Sequence, residues 1–462
     1  MVNLLISGFL VAAAFEPIGL WYLAILGYAI FFRKLAKTKY PILYSSLFAA
    51  ITSAIVLHWS SKYVGALPWL LLTALKALFY LPVGWTYKRT QSLRWTILVI
   101  LLCEEVGARF PFGGFAWTRI AFSQVESPYL KLVSYGGVIL LSFATLLCAL
   151  ALTRLRFKST VILLLSFICL GLLPENQIGT EKISLAAIQG NTPTVGLDFN
   201  GRAKAVFDLH LNATRKYVTK KYDAIIWPEN AIDVDPNNFP EVADQIDKLI
   251  NDLDTPLVAG VVLNRNGAPE NASILYSPKV GDGSIYIKRY LTPFGEYMPL
   301  RSLAEIISPY ADSVVDFHPG KSFVPHHIKG YPIAPIICYE ILNDGIIRQA
   351  AMKSTAFIVQ TNSATFANTP ESAQQLAITR IRAVEHSREI LSVSTVGISA
   401  FIDNNGRVKS QTAENVSTFL AGDLALQDKK TWADRLGGVA PLLTLLLALI
   451  LALFQRHRKI SL

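Results

Sequence analysis

Three side chains in the middle of this chain combine into a chemistry: a carboxylate, a cation and a thiol. Glu229 closes the apolar run Ile225-Ile226-Trp227-Pro228-Glu229, Lys288 follows Tyr286-Ile287, and Cys338 ends Pro335-Ile336-Ile337-Cys338. A thiol of ordinary pKa, about 8.5, is mostly protonated at neutral pH, so it needs a base or a nearby cation to act as a nucleophile. Glu229 can accept the proton, and Lys288 can stabilise both the thiolate and the oxyanion formed by attack on a carbonyl. The backbone N–H after Cys338 can complete an oxyanion hole, in which each donor is worth about 3 kcal/mol. Together they would perform covalent acyl transfer. The same residue types also describe a buried cysteine, a surface lysine and a solvated glutamate, and only convergence in space separates the two readings.

The elements that must bring them together are strands. Between residues 181 and 425, apolar runs rich in β-branched residues recur at 182–188, 223–228, 256–263, 272–278, 332–338, 355–361, 390–396 and 398–403. Segments of helical period lie between several of them, at 202–220, 239–252, 342–352 and 371–388. Strands alternating with helices predict a layered α/β domain. Asp403-Asn404-Asn405-Gly406 has the composition of a hairpin turn joining the last strands.

The rest of the chain belongs to another environment. Apolar residues make up 52% of the 462, charged residues only 16%, and the apolar excess is concentrated in residues 1–174 and 437–455. Runs at 3–15, 18–32, 41–58, 64–85, 95–107, 129–152 and 159–174 predict a membrane domain of about seven spans before the catalytic segment, with 437–455 as a last span after it. A cleaved signal peptide is the rival reading of the first run, which lacks a basic leader. The net charge of +10 resides largely in short loops: Arg33, Lys34, Lys37 and Lys39; Lys88, Arg89 and Arg94; Arg154, Arg156 and Lys158; Arg456, Arg458 and Lys459. Retention of basic loops in the cytoplasm then places residues 181–425 on the outer side. Lys76, Glu104 and Glu105 lie within apolar runs, where ionisable groups are costly and often functional. The aromatic loop Arg109 to Trp117 is read as an interfacial belt or turn.

Other functions are disfavoured. The basic loops carry no aromatic-interleaved patch of the kind that binds nucleic acid, and the chain has no Gly-rich nucleotide loop and no His-Glu-x-x-His run. Its seven histidines lack metal-ligand spacing, so neither a metal nor a cofactor is expected. Cys103, Cys148 and Cys169 fall in apolar runs, where thiols behave as small hydrophobes. The sequons Asn212-Ala213-Thr214 and Asn271-Ala272-Ser273 are too common to carry weight.

Several linked motifs resemble one superfamily. Trp227-Pro228-Glu229, then Tyr286-x-Lys288-x-x-Leu291 with Pro293-Phe294-Gly295-Glu296-Tyr297-Met298-Pro299, then Ile337-Cys338-Tyr339-Glu340, resemble the nitrilase superfamily. The Pro-Phe-Gly-Glu-Tyr block and the surrounding spans look specifically like the bacterial apolipoprotein N-acyltransferases. That resemblance implies a multi-pass α-helical membrane domain plus a nitrilase-like αββα sandwich facing outward from the cytoplasmic membrane. It implies Glu229 as general base, Lys288 as thiolate and oxyanion stabiliser and Cys338 as nucleophile, with Glu296, Tyr339 and Glu340 supporting the pocket. It also implies a phospholipid acyl donor and a diacylated apolipoprotein acceptor. A membrane-tethered amidase would use the same triad, while a binding or transport protein would not need it. Two blocks depart from the family pattern: Gly196-Leu197-Asp198-Phe199 lacks an expected tryptophan, and Asn362-Ser363-Ala364-Thr365-Phe366-Ala367 stands where Asn-Asp-Ala-Trp-Phe-Gly is usual.

Overall fold

The computed structural model describes residues 2–62, 65–153, 172–196, 203–265, 267–278, 281–307 and 314–454. All but the last three residues of the expected span at 159–174 lie outside the described residues. So do the basic clusters at 154–158 and 456–459 and most of the divergent loop, 197–199. The chain divides into two compact units, one comprising Met1–Glu175 with Thr431–Leu462 and the other Asn176–Lys430.

Among the described residues, the first unit begins with seven α-helices: α1 (Val2–Ala13), α2 (Tyr22–Leu35), α3 (Pro41–Val56), α4 (Ala66–Phe79), α5 (Leu81–Thr90), α6 (Leu93–Gly107) and α7 (Val133–Thr153). Pro41 opens α3 at a position where a missing N–H costs nothing, and the Ser92 hydroxyl caps α6 by accepting from the Trp95 N–H. These helices are apolar around much of their circumference. Leu5, Phe9, Leu43, Leu70 and Leu71 remain exposed on their outer faces, a pattern that suits lipid rather than water. Ala66–Thr90 and Leu130–Thr153 are long and apolar enough to cross a membrane, and α1 and α3 are shorter apolar helices. The three ionisable residues within the apolar runs have partners: Glu105 pairs with Arg109 at 2.6 Å and Arg119 at 2.8 Å, Glu104 accepts the Ile120 N–H, and Lys76 donates to the Phe115 carbonyl.

The second unit is built on two six-stranded sheets. The first, ordered β12-β1-β2-β3-β4-β5, comprises β1 (Lys182–Gln189), β2 (Ala224–Ile226), β3 (Leu257–Arg265), β4 (Ala268–Ser277), β5 (Gly281–Ile287) and β12 (Thr418–Ala425). The second, ordered β11-β10-β9-β8-β7-β6, comprises β6 (His326–Ile328), β7 (Tyr331–Ile337), β8 (Ala356–Thr361), β9 (Ile390–Ser394), β10 (Ala400–Ile402) and β11 (Val408–Gln411). Strands β1, β2 and β3 run parallel, as do β7, β8 and β9, while the outer pairings are antiparallel. Period-two alternation assigns each face. Leu185 and Ala187 point between the sheets with Ile226, Val258, Ile358 and Leu391, whereas Ala186 and Ile188 pack outward.

Helices cover the outer faces. On the first sheet, Phe207 and Leu211 of α8 (Ala205–Tyr217) and Val242, Ile246 and Leu249 of α9 (Pro240–Asp252) meet Ile225 and Leu257. A short α10 (Arg301–Ile307) lies in the connection between the sheets. α11 (Asp344–Lys353) and α12 (Glu371–His386) lie on the second sheet, and the four layers make an αββα sandwich. The chain then re-enters the first unit through α13 (Trp432–Leu436) and the apolar α14 (Val439–Leu453).

Candidate active site

Each chemical residue stands just beyond the C-terminal end of a strand, where a side chain leaves the ladder without leaving the rigid frame. Glu229 follows β2, in a turn held from two sides. The Gly260 N–H donates to the Pro228 carbonyl at 3.2 Å, and the Gln360 side chain on β8 donates to the Trp227 carbonyl at 2.7 Å. Gly260 is required there, since a Cβ would lie 2.4 Å from the Pro228 oxygen and 2.6 Å from the Glu229 Cα. Lys288 directly follows β5, and Cys338 directly follows β7 at the start of a 3₁₀ turn, Cys338–Leu342. The Cys338 backbone has φ = 48°, a left-handed conformation that is costly for a residue with a side chain and typical of nucleophiles lifted out of a strand.

The three segments converge. Lys288 Nζ lies 3.1 Å from Glu229 Oε1 and 2.8 Å from Glu296 Oε2, and only 1% of the lysine is exposed. Asn271 on β4 completes the set: its Nδ2 donates to Glu229 Oε1 at 2.8 Å and to Glu296 Oε1 at 2.7 Å. Two acceptors fix which end of that amide faces them. The Thr292 N–H donates to the other oxygen of Glu296. A buried cation thus sits between two carboxylates that a neutral amide holds in register. The half-buried thiol of Cys338 lies within electrostatic reach of Lys288 and Glu229.

The electrostatics follow from burial opposed by pairing. Burial alone would lower the Lys288 ammonium, but Glu229 and Glu296 outweigh it and hold its pKa above the usual lysine range, so it stays charged. Burial raises the Glu229 carboxyl, with Lys288 pulling against it. Burial and the Glu229 charge push the Cys338 thiol well above its ordinary value, and Lys288 opposes both. A thiol held in its neutral form can act as a nucleophile only if its proton leaves as it attacks, and the neighbouring Glu229 carboxylate is of the type that can accept it.

Tyr339 and Glu340 do something different from facing the thiol. Glu340 is fully buried and accepts from the Tyr286 hydroxyl at 2.7 Å and from the backbone N–H groups of Arg289 at 2.8 Å, Tyr290 at 3.3 Å and Ile337 at 2.9 Å. It clamps the end of β5 to the end of β7, the two points from which Lys288 and Cys338 project. Tyr339 stacks on Tyr290, with ring centres 5.2 Å apart. Three residues near the thiol had no place among the sequence-based candidates. Asn271 was visible only as part of a sequon without weight. Glu371 and Gln375, on the face of α12 turned to Cys338, showed nothing beyond helical period; the Gln375 amide lies 3.8 Å from the sulfur.

The family model of the carbon-nitrogen hydrolases matches residues 184–434, the segment that carries both sheets and the Glu229, Lys288 and Cys338 positions. The model of the apolipoprotein N-acyltransferase N-terminal domain matches residues 7–151. The apolipoprotein N-acyltransferase of Mycolicibacterium smegmatis is 30% identical over 92% of this chain and 80% of its own, and that of Pseudomonas syringae pv. tomato 28% identical over 91% and 90%. An amidase from Nesterenkonia sp. is similar at 15% identity, over 56% of this chain and 94% of its own, with a TM-score of 0.40. This chain belongs to the apolipoprotein N-acyltransferase family.

Proposed function

We propose that this protein is a membrane acyltransferase. It moves an acyl chain from a phospholipid, through a thioester on Cys338, to the α-amine of the S-diacylglyceryl-cysteine that begins a lipoprotein. The observation that carries the reading is the buried Glu229–Lys288–Glu296 cluster beside a thiol on a strained strand end, within a family of that activity. In the first half-reaction Cys338 attacks the ester carbonyl while Glu229 takes the thiol proton. Lys288 and the Tyr339 backbone N–H steady the oxyanion, and the lysophospholipid alkoxide leaves with the proton from Glu229. In the second, the amine attacks the thioester and Cys338 is released.

Both substrates are lipids, and this accounts for the apolar architecture around the catalytic unit. The helices of the first unit and α14 serve as membrane spans, with residues 176–430 facing outward. Residence in one leaflet raises the local concentration of donor and acceptor, and exclusion of water favours aminolysis over hydrolysis. The loop that carries Glu296 also presents exposed Phe294 and Leu300, suited to acyl chains. Mass spectrometry of the purified protein incubated with phospholipid tests the nucleophile. A single acyl adduct is expected on the wild type and none on Cys338→Ala; an adduct of equal yield on the variant refutes the assignment.

A further inference from the structure

The first turn of α12 carries a second carboxyl that the acylation chemistry leaves unused. Glu371 is 5% exposed, and its Oε2 has no hydrogen-bond partner among the described residues. An orphaned carboxyl oxygen inside a protein is expensive and calls for a visiting donor. Glu371 stands one turn before Gln375, on the same helix face, and Gln375 touches the Cys338 sulfur. The charges of Glu371 and Cys338 act on each other, and Glu229 acts on Glu371 from the far side of the site. The Ser363 hydroxyl and the Glu414 carboxylate also act on it.

We propose that Glu371 is the acceptor subsite: its free oxygen receives the α-ammonium of the incoming lipoprotein and takes one proton from it, delivering a neutral amine to the Cys338 thioester. The proposal rests on the acyltransferase reading above. An ammonium has no lone pair and cannot attack, so the second half-reaction must remove two protons from nitrogen. Glu371, as carboxylate, takes the first. As the C–N bond forms and the C–S bond breaks, the second passes through Glu229 to the departing sulfur. Cys338 is regenerated as a thiol, and Glu371 returns its proton to solvent. The energetics match: burial, then Glu414 and Glu229, push the Glu371 carboxyl up to about 8 against the Ser363 hydrogen bond. An α-amino group in water ordinarily titrates at about 7.7–8.0, in the same range.

The test separates the two half-reactions in the full-length protein, using mixed micelles of phospholipid and a synthetic diacylated lipopeptide with a free N terminus. Glu371→Gln is expected to accumulate the Cys338 acyl adduct, yet to discharge it onto the lipopeptide about 10²-fold more slowly. That deficit should shrink as rising pH supplies free amine from solution, and Glu371→Asp should recover part of the rate. Discharge at the wild-type rate in Glu371→Gln overturns the proposal. So does an equal fall of adduct formation and discharge in both variants, which marks a packing role. Wild-type protein that forms the adduct but releases only free fatty acid, without amide, overturns the acyltransferase reading instead and the subsite with it.

Discussion

Asn271 donates one hydrogen bond to each carboxylate that flanks Lys288, and the bond to Glu229 favours the charged form of that carboxyl. Its replacement by alanine removes two charge-assisted bonds, each worth about 1.5–3 kcal/mol, and leaves Glu229 to depend on Lys288 alone. In the proposed mechanism Glu229 must be ionised to take the thiol proton, and burial already raises its pKa. The rate of adduct formation therefore falls as pH drops through that raised value, above the ordinary glutamate value of about 4.3. Loss of the Asn271 donor raises Glu229 further. Asn271→Ala is expected to slow adduct formation roughly ten- to a hundredfold and move its acid limb to higher pH, read from single-turnover rates across pH. An unmoved limb with a lower plateau assigns Asn271 to packing.

At the level of elements, the site depends on β3 lying against the turn that follows β2. A methyl on Gly260 meets backbone on both near sides, at 2.4 Å and 2.6 Å, and backbone cannot rotate away as a side chain would. Gly260→Ala is expected to cost about 1–3 kcal/mol of stability through overpacking and to displace Glu229. The midpoint of thermal unfolding should drop, and the folded variant should form adduct more slowly; an active variant of unchanged midpoint refutes this account. The element scale also explains what sequence pattern could recover. The eight apolar runs correspond to β1–β4 and β7–β10, the interior strands of the two sheets, which are apolar on both faces because sheet and helix cover them. The four strands without such a run, β5, β6, β11 and β12, are the four sheet edges. β11 alternates between half-buried and exposed and β12 includes Gly422 and Asp423, the composition that blunts an edge and hides it from hydrophobic pattern.

For the whole molecule, the distribution of basic residues makes topology testable. Lys221, exposed in the catalytic unit, and Lys37, exposed in the loop after α2, are expected on opposite sides of the membrane. In intact cells an impermeant maleimide should label Lys221→Cys above the level of the parent chain, and should label Lys37→Cys only after permeabilisation. The reverse pattern inverts the orientation, and labelling of both from outside requires an even number of spans between them and overturns the expected topology.

Sequence alone determined the composition of both units, the interior strands and the residue types of the candidate site. These signals are local: hydrophobic period, runs at strand ends, and the order Trp-Pro-Glu, Lys, Cys-Tyr-Glu. Only the tertiary structure decided which polar groups meet. Asn271, Lys288 and Glu296 come from β4 and from the end of β5 with its following loop, yet they share one buried cluster. Glu371 comes within electrostatic reach of Cys338 across a gap of 33 residues because α12 packs on the sheet that ends in the thiol. An amide in a sequon and a glutamate on a helix carry no signature of their own. Their chemistry comes from burial and neighbours, which raise or pair a charge only after the sheets have closed.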